Sequence, residues 1–163
     1  GRSAGGLLVG AAANARPDLF CALLASVPFV DPAGTLQDGN QPLTVNEWEE
    51  FGNPNEVGGH ESVLAVSPVQ TVPAATDNGV ARDFPRTLLL PALNDARTGF
   101  WEAHKYADAI RSEFSASDTP VLVLTDMEGG HFRSADPEKR AQQRALEIGF
   151  VVDALRQHNA ESG

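Results

Sequence analysis

Basic residues are absent from a long internal stretch of this sequence. No Lys or Arg occurs between Arg16 and Arg82, whereas nine Asp and Glu residues do. These are Asp18, Asp31, Asp38, Glu47, Glu49, Glu50, Glu56, Glu61 and Asp77. Phosphate groups are bound by Lys and Arg, so this stretch and the net charge of −10 argue against a nucleic-acid partner. The composition favours cationic ligands such as basic peptides, although a plain solvated acidic surface also fits it.

Cysteine and long apolar runs are equally scarce, and each absence excludes a class of protein. The single cysteine, Cys21, cannot form an internal disulfide and begins an apolar segment, so we expect a buried core thiol and a cytoplasmic location. No apolar run approaches the roughly 20 residues of a membrane span, so no membrane partner is expected. No His, Cys and carboxylate cluster has metal-ligand spacing, so neither a metal nor an organic cofactor is expected.

Helical and apolar extended segments alternate along the chain. Residues 31–85 interrupt this order with a Gly-, Pro- and Asn-rich excursion containing short helical pieces near 44–51 and 59–66. Alternation of this kind predicts an α/β protein with a parallel sheet, its strands covered on both faces. The predicted helices are 4–15, 98–114 and 137–158, and the predicted strands are 21–30, 86–93 and 120–125.

The first five residues, Gly1-Arg2-Ser3-Ala4-Gly5, fit the pattern G-x-S-x-G. In α/β-hydrolases this pattern forms a sharp strand-to-helix turn that exposes a nucleophilic serine. The prediction is therefore that Ser3 is a nucleophile and that the backbone N–H of Ala4 donates to an oxyanion. The alternative is an ordinary serine capping a Gly- and Ala-rich helix.

A catalytic triad of this fold runs along the chain in the order Ser, acid, His. His131 follows the third predicted strand in a glycine-flanked loop, which is where the base is expected. Asp95 follows the second predicted strand and is the expected acid, whereas Asp126 shares the loop of His131 itself. The other histidines precede the acid or lie in helices: His60, His104 and His158.

Long ordered segments of the sequence resemble the prolyl oligopeptidase family of serine peptidases, and within it the oligopeptidase B group. The resemblance covers nearly the whole chain, including GRSAGGLL, ARPDLFCALLASVPFVD, PLTVNEWEEFGNPNE, LNDARTGFWEAHKYADAIR and TDMEGGHFRSADPEKR. It implies an α/β-hydrolase fold in which Ser3, Asp95 and His131 are nucleophile, acid and base. It also implies that residues 1–163 are the C-terminal part of a catalytic domain, whose upstream strands and β-propeller lie before Gly1.

The same resemblance carries an expectation about specificity. Glu47 and Glu49 fall on the acidic pair that selects Arg or Lys before the scissile bond in the oligopeptidase B group. Two carboxylates can bind a guanidinium through charge-assisted hydrogen bonds, so short basic peptides are the expected substrates. An acidic first helical turn explains the same residues without any substrate. A proline-specific peptidase, an esterase and a non-catalytic chain remain open as alternatives.

Two departures from the family pattern are visible. Phe132 follows the histidine where relatives often have a small residue, so the rim of the site is expected to differ. The segment TVPAATDNGVARDFP is longer than usual and is expected to form a surface insertion. Because one sheet edge would lack its neighbouring strand, we expect these 163 residues alone to be inactive or poorly soluble.

Overall fold

The chain folds around a small parallel sheet, and the computed structural model describes residues 1–161. In chain order the elements are α1 (Ala4–Ala15), a 3₁₀ turn (Pro17–Leu19), β1 (Ala22–Ser26), α2 (Pro32–Thr35), α3 (Thr44–Phe51), α4 (Gly59–Leu64), β2 (Thr76–Asp77), β3 (Val80–Ala81), β4 (Arg86–Leu90), α5 (Phe100–Glu113), β5 (Val121–Val123) and α6 (Pro137–Glu161). The predicted elements are therefore all present, although each predicted strand is longer than the observed one.

The sheet has the strand order β1-β4-β5, and all its pairings are parallel. Ser26 lies opposite Leu90, and Leu89 lies opposite Val123. The carboxyl ends of the three strands therefore meet at one edge, where the loops after β1, β4 and β5 begin. In open parallel sheets this is the edge at which ligands bind.

Helices α1 and α5 pack together over the sheet. Their contact is centred on Tyr106, whose side chain is fully buried and whose hydroxyl donates to Asn14 Oδ1 at 2.7 Å. Small residues bring α1 close to its neighbours, since a Cβ on Gly10 would lie 3.0 Å from Pro68 Cγ. Burying the apolar faces of these elements is the main source of stability of this core. Its members include Ala13, Leu23, Ala25, Val30, Leu89, Ala103, Tyr106, Ala107 and Ile110.

Two expectations about burial are wrong. The strand β5 is not covered on both faces, since Leu122 and Leu124 keep 48% and 53% of their surface exposed. Val121 and Val123 pack against the core on the side of α5, whereas α6 packs against β1, so within residues 1–161 no helix covers the face that carries Leu122 and Leu124. Cys21 is half-buried rather than buried, because it precedes β1 and lines a cavity of about 620 Å³ at the amino ends of the strands.

The expected surface insertion forms a short antiparallel hairpin. Strands β2 and β3 pair Thr76 with Ala81 and Asp77 with Val80, and their side chains are exposed. Asn78 and Gly79 form the turn with φ of 51° and 80°, the left-handed geometry that two-residue hairpins require. Among the helices of residues 1–161, none is long and apolar enough to cross a membrane.

Candidate active site

The first three residues run beside β1 and turn sharply into α1. Ser3 N donates to the carbonyl of Ser26 at 3.2 Å, and Ser26 N donates to the carbonyl of Gly1 at 3.0 Å. Ser3 then adopts φ 52° and ψ −125°, a left-handed conformation that costs energy for a residue other than glycine. Ser3 does occupy the N-cap position of α1, but its side chain makes no capping hydrogen bond to the helix.

The glycines of the turn differ in how tightly they are packed. A Cβ on Gly1 would lie 2.1 Å from the Gly5 carbonyl oxygen, and one on Gly6 would lie 2.6 Å from Pro28 Cβ. A Cβ on Gly5 would meet no atom of another element within 4 Å. The close approach that the motif demands is therefore made by Gly1 and by Gly6, a residue just outside the five-residue pattern.

His131 and Asp95 form a buried pair at the carboxyl edge of the sheet. His131 Nδ1 lies 2.8 Å from Asp95 Oδ2 and 3.1 Å from Oδ1, and their side chains are 7% and 0% exposed. The carboxylate is itself oriented, since Oδ1 accepts from the backbone N–H groups of Arg97 and Thr98 at 2.8 and 3.0 Å. The Thr98 hydroxyl lies 3.0 Å from Asp95 Oδ2. This arrangement orients the imidazole and leaves Nε2 as the ring nitrogen that Asp95 does not contact.

The other carboxylate considered for the acid has a different partner. Asp126 Oδ1 accepts from the backbone N–H groups of Glu128 and Gly129 at 3.1 and 2.8 Å, so it shapes the loop that carries His131. We call residues 126–133 the histidine loop. Of the remaining histidines, His104 Nε2 lies 3.1 Å from Thr125 Oγ1 on an exposed face of α5.

An arginine connects the serine turn to the histidine loop. Arg2 Nη1 donates to Ser26 Oγ at 3.0 Å, and Arg2 Nη2 donates to the main-chain carbonyl of His131. The residue before Ser3 is thus in direct contact with the residue that carries the imidazole. The N–H of Ala4, the first of α1, has no acceptor inside its own helix and lies next to Ser3.

Glu47 and Glu49 lie on the same short helix, α3, but not on the same face. Two positions apart in an α-helix is a rotation of about 200°, so the side chains diverge. Glu47 is half-buried: burial and the neighbouring Glu50 raise its pKa, while the charges of Arg97 and His131 lower it. Glu47 therefore lies within electrostatic range of the Asp95–His131 pair, whereas Glu49 is exposed.

An aromatic side chain stands at the rim of the site. Phe132 is 74% exposed, and the guanidinium carbon of Arg97 lies 5.5 Å from the centre of its ring. The ring of Phe132 also meets the imidazole of His131 edge to face, with ring centres 5.5 Å apart. On the inner side, the histidine loop borders a cavity of about 450 Å³ that Arg2 also lines. Within residues 1–161, no three His, Cys, Asp or Glu side chains cluster closely enough to hold a metal ion.

A buried glutamate on α5 was not predicted from the sequence. Glu102 on α5 is fully buried, and its Oε2 accepts from the backbone N–H groups of Val30 and Asp31 at 2.8 and 2.9 Å. Its Oε1 accepts from the Thr35 hydroxyl at 2.8 Å. Burial raises the pKa of Glu102 to about 7, and these hydrogen bonds oppose the rise. The sequence feature that could have indicated its burial is its place between the apolar residues Trp101 and Ala103 of the helix.

The parallel sheet, the strained serine turn and the buried Asp–His pair define a protein of the α/β-hydrolase class. The sequence matches the model of the prolyl oligopeptidase family over residues 1–158. The chain therefore belongs to the prolyl oligopeptidase family, a family of serine peptidases, and the expected fold and family resemblance are confirmed.

Individual relatives agree with this assignment. Dipeptidyl aminopeptidase BI of Pseudoxanthomonas mexicana is 36% identical over 155 residues, covering 95% of this chain and 20% of the relative. Protease 2 of Moraxella lacunata is 35% identical over 155 residues, covering 95% of this chain and 21% of the relative. Oligopeptidase B from Leishmania major is similar with a TM-score of 0.86 at 40% identity, covering 96% of this chain and 20% of that chain. The chain thus spans about a fifth of the length of these relatives.

Proposed function

We propose that the protein is a serine endopeptidase that cleaves short peptides after Arg or Lys. The observation that carries the proposal is the convergence of the Ser3 turn and the buried Asp95–His131 pair at one sheet edge, joined through Arg2. Residues 1–163 act in it as the C-terminal part of the catalytic domain.

In this mechanism His131 removes the proton of Ser3 as the hydroxyl attacks the scissile carbonyl. Asp95 holds Nδ1, which keeps the proton-accepting Nε2 outward and stabilises the imidazolium that forms. The N–H of Ala4 donates to the oxyanion of the tetrahedral intermediate. His131 then protonates the leaving amine, and the acyl group remains bound to Ser3 as an ester. In the second half of the reaction, His131 removes a proton from a water molecule that attacks this ester, and it returns the proton to Ser3 as the peptide acid leaves.

Substrate selection is assigned to the acidic helix α3. In this proposal Glu47 pairs with the guanidinium or ammonium of the residue before the scissile bond; its half-burial and its electrostatic interaction with Arg97 and His131 support that role. Glu49, exposed on another face of α3, contributes a second carboxylate that acts mainly through its charge. The base-free acidic stretch from residue 17 to residue 81 attracts the same cationic peptides at longer range.

The test is hydrolysis of matched fluorogenic dipeptides ending in Arg, Lys or Pro by the full-length protein. We expect the Arg and Lys substrates to be cleaved and Ser3→Ala to abolish cleavage. Glu47→Gln is expected to raise KM for the Arg substrate more than Glu49→Gln does. Glu61→Gln, which removes an exposed carboxylate of the same acidic stretch, is the control: it should raise KM for the Arg substrate less than Glu47→Gln does and leave kcat unchanged.

Other results would select a different function. A Ser3-dependent preference for the Pro substrate would keep the triad and remove the roles of Glu47 and Glu49. Ser3-dependent cleavage of simple esters alone would indicate an esterase. One relative is named a dipeptidyl aminopeptidase, so substrates with a free and a blocked amino terminus should be compared. No Ser3-dependent turnover of any of them would contradict the proposed function.

A further inference from the structure

Arg2 takes no part in the proposed chemistry, yet its side chain forms a hydrogen bond to His131, the proposed general base. Its guanidinium divides its hydrogen bonds between Ser26, at the end of β1, and the main-chain carbonyl of His131. Burial and the nearby Arg133 lower the pKa of Arg2, while the charges of Asp95 and Glu147 raise it. The cation is therefore half-enclosed beside the triad rather than free in solvent.

The histidine loop is built so that it needs such an anchor. Gly129 and Gly130 precede His131 directly, and glycine allows the backbone a wider range of conformations than any other residue. The ring of His131 is held at Nδ1 by Asp95, but that bond fixes only the outer end of the residue. A hydrogen bond to the carbonyl of His131 fixes its main chain as well.

The far side of the loop is held by separate contacts. Arg133 donates to both carboxylate oxygens of Glu147 on α6 at 3.1 Å, and Arg144 lies 3.3 Å from the same carboxylate. Asn94 N donates to the carbonyl of Gly129 at 3.1 Å. These bonds join the loop to α6 and to the loop after β4. Arg2, in contrast, joins it to the turn that carries the nucleophile.

We propose that Arg2 is a positioning residue for His131, holding the histidine loop in register with the serine turn. Because Arg2 is adjacent to Ser3 in the chain and bonded to the carbonyl of His131, any movement of one segment is transmitted to the other. The guanidinium suits this role since its planar fork reaches two acceptors at once. The inference rests on the proposed function, in which His131 is the general base.

The kinetic test compares Arg2→Met and Arg2→Lys in the full-length protein with the Arg dipeptide substrate. We expect Arg2→Met to lower kcat by about 10- to 100-fold, with KM changed by less than about twofold, because misplacing a catalytic group affects the transition state and not substrate binding. Arg2→Lys, which keeps the charge but not the fork, should lose less. Arg16→Met removes an exposed arginine paired with Asp18 and should change neither constant.

A double-variant comparison separates positioning from general structural support. In a His131→Ala background, measured with an activated ester, Arg2→Met should cause no further loss, because the group that it positions is gone. Hydrogen exchange of the histidine loop should also accelerate in Arg2→Met but not in Arg16→Met. An unchanged kcat, or an equal loss with and without His131, would overturn the proposal.

The hydrogen-exchange measurement does not depend on catalytic activity. If the wild-type protein showed no Ser3-dependent hydrolysis, the proposed function would fail on that result alone. Accelerated exchange of the histidine loop in Arg2→Met would still support the anchoring contact, and unchanged exchange would overturn it.

Discussion

Replacing Glu102 by Gln should remove a pH dependence from the segment that follows β1. In the folded protein the pKa of Glu102 is raised from 4.5 to about 7, mainly by burial. Folding therefore favours the protonated carboxyl. The contribution of Glu102 to stability is complete below about pH 4.5, declines as the pH rises, and is lost above about pH 7. The difference in pKa corresponds to about 3 kcal/mol, or about 300-fold in an opening equilibrium.

Glutamine imitates the protonated acid at every pH. Its amide oxygen can accept from the N–H groups of Val30 and Asp31, and its NH₂ group can donate to the Thr35 hydroxyl. Glu102→Gln should therefore keep the hydrogen bonds without the cost of a buried charge. We expect it to stabilise this segment increasingly from pH 4.5 to pH 7, by about 3 kcal/mol at pH 8 relative to pH 4.5.

The assay is hydrogen exchange of the peptide spanning residues 27–36 in the full-length protein. Wild type and Glu102→Gln are compared at equal pH, so the intrinsic pH dependence of exchange cancels. The ratio of the wild-type exchange rate to the Glu102→Gln rate should rise by about 150-fold between pH 4.5 and pH 8. Glu113→Gln changes an exposed glutamate of the same helix and serves as control. A ratio for Glu102→Gln that does not vary with pH would refute the reasoning.

Three further results are expected. Asp95→Asn should lower kcat by about 10⁴-fold with little change in KM, because the amide favours the wrong tautomer of His131. Pre-steady-state kinetics would show the loss in the acylation step. Gly6→Ala places a Cβ 2.6 Å from Pro28 Cβ and should lower stability by about 1–3 kcal/mol, measured by thermal unfolding. Gly5→Ala is the control and should leave stability unchanged, because its Cβ would meet no atom of another described element within 4 Å. Tyr106→Phe removes the 2.7 Å hydrogen bond to Asn14 and should lower stability by about 1–3 kcal/mol, measured as a lower Tm in thermal unfolding.

The order of elements and the places of the polar candidates followed from the sequence. Apolar segments such as residues 86–93 alternate with helical ones, and this periodicity reflects which side chains must be buried. Asp95 and His131 each follow a predicted strand, and parallel strands bring their carboxyl ends to one edge. Such elements can be predicted from the sequence because their formation depends on residues that are close together in the chain.

The tertiary structure decided what depends on contacts between distant segments. Leu122 and Leu124 are exposed because, within residues 1–161, no helix packs on their face of β5, although their sequence is typical of a buried strand. The helical geometry of α3 separates Glu47 from Glu49, although they are close in the sequence. The pairing of Asp95 rather than Asp126 with His131 rests on the course of two loops.

Three polar residues show why such contacts escape a reading of one sequence. Arg2 reaches a carbonyl 129 residues further along the chain, and Glu102 accepts from amides more than 70 residues before it. The main-chain N–H of Thr98 donates a hydrogen bond to Asp95. Every residue type except proline could supply this donor, so the sequence does not single it out. The sequence by itself determined which elements form and which side chains are candidates for catalysis. Only the fold determined their partners, because a hydrogen bond is fixed by distance and direction in space.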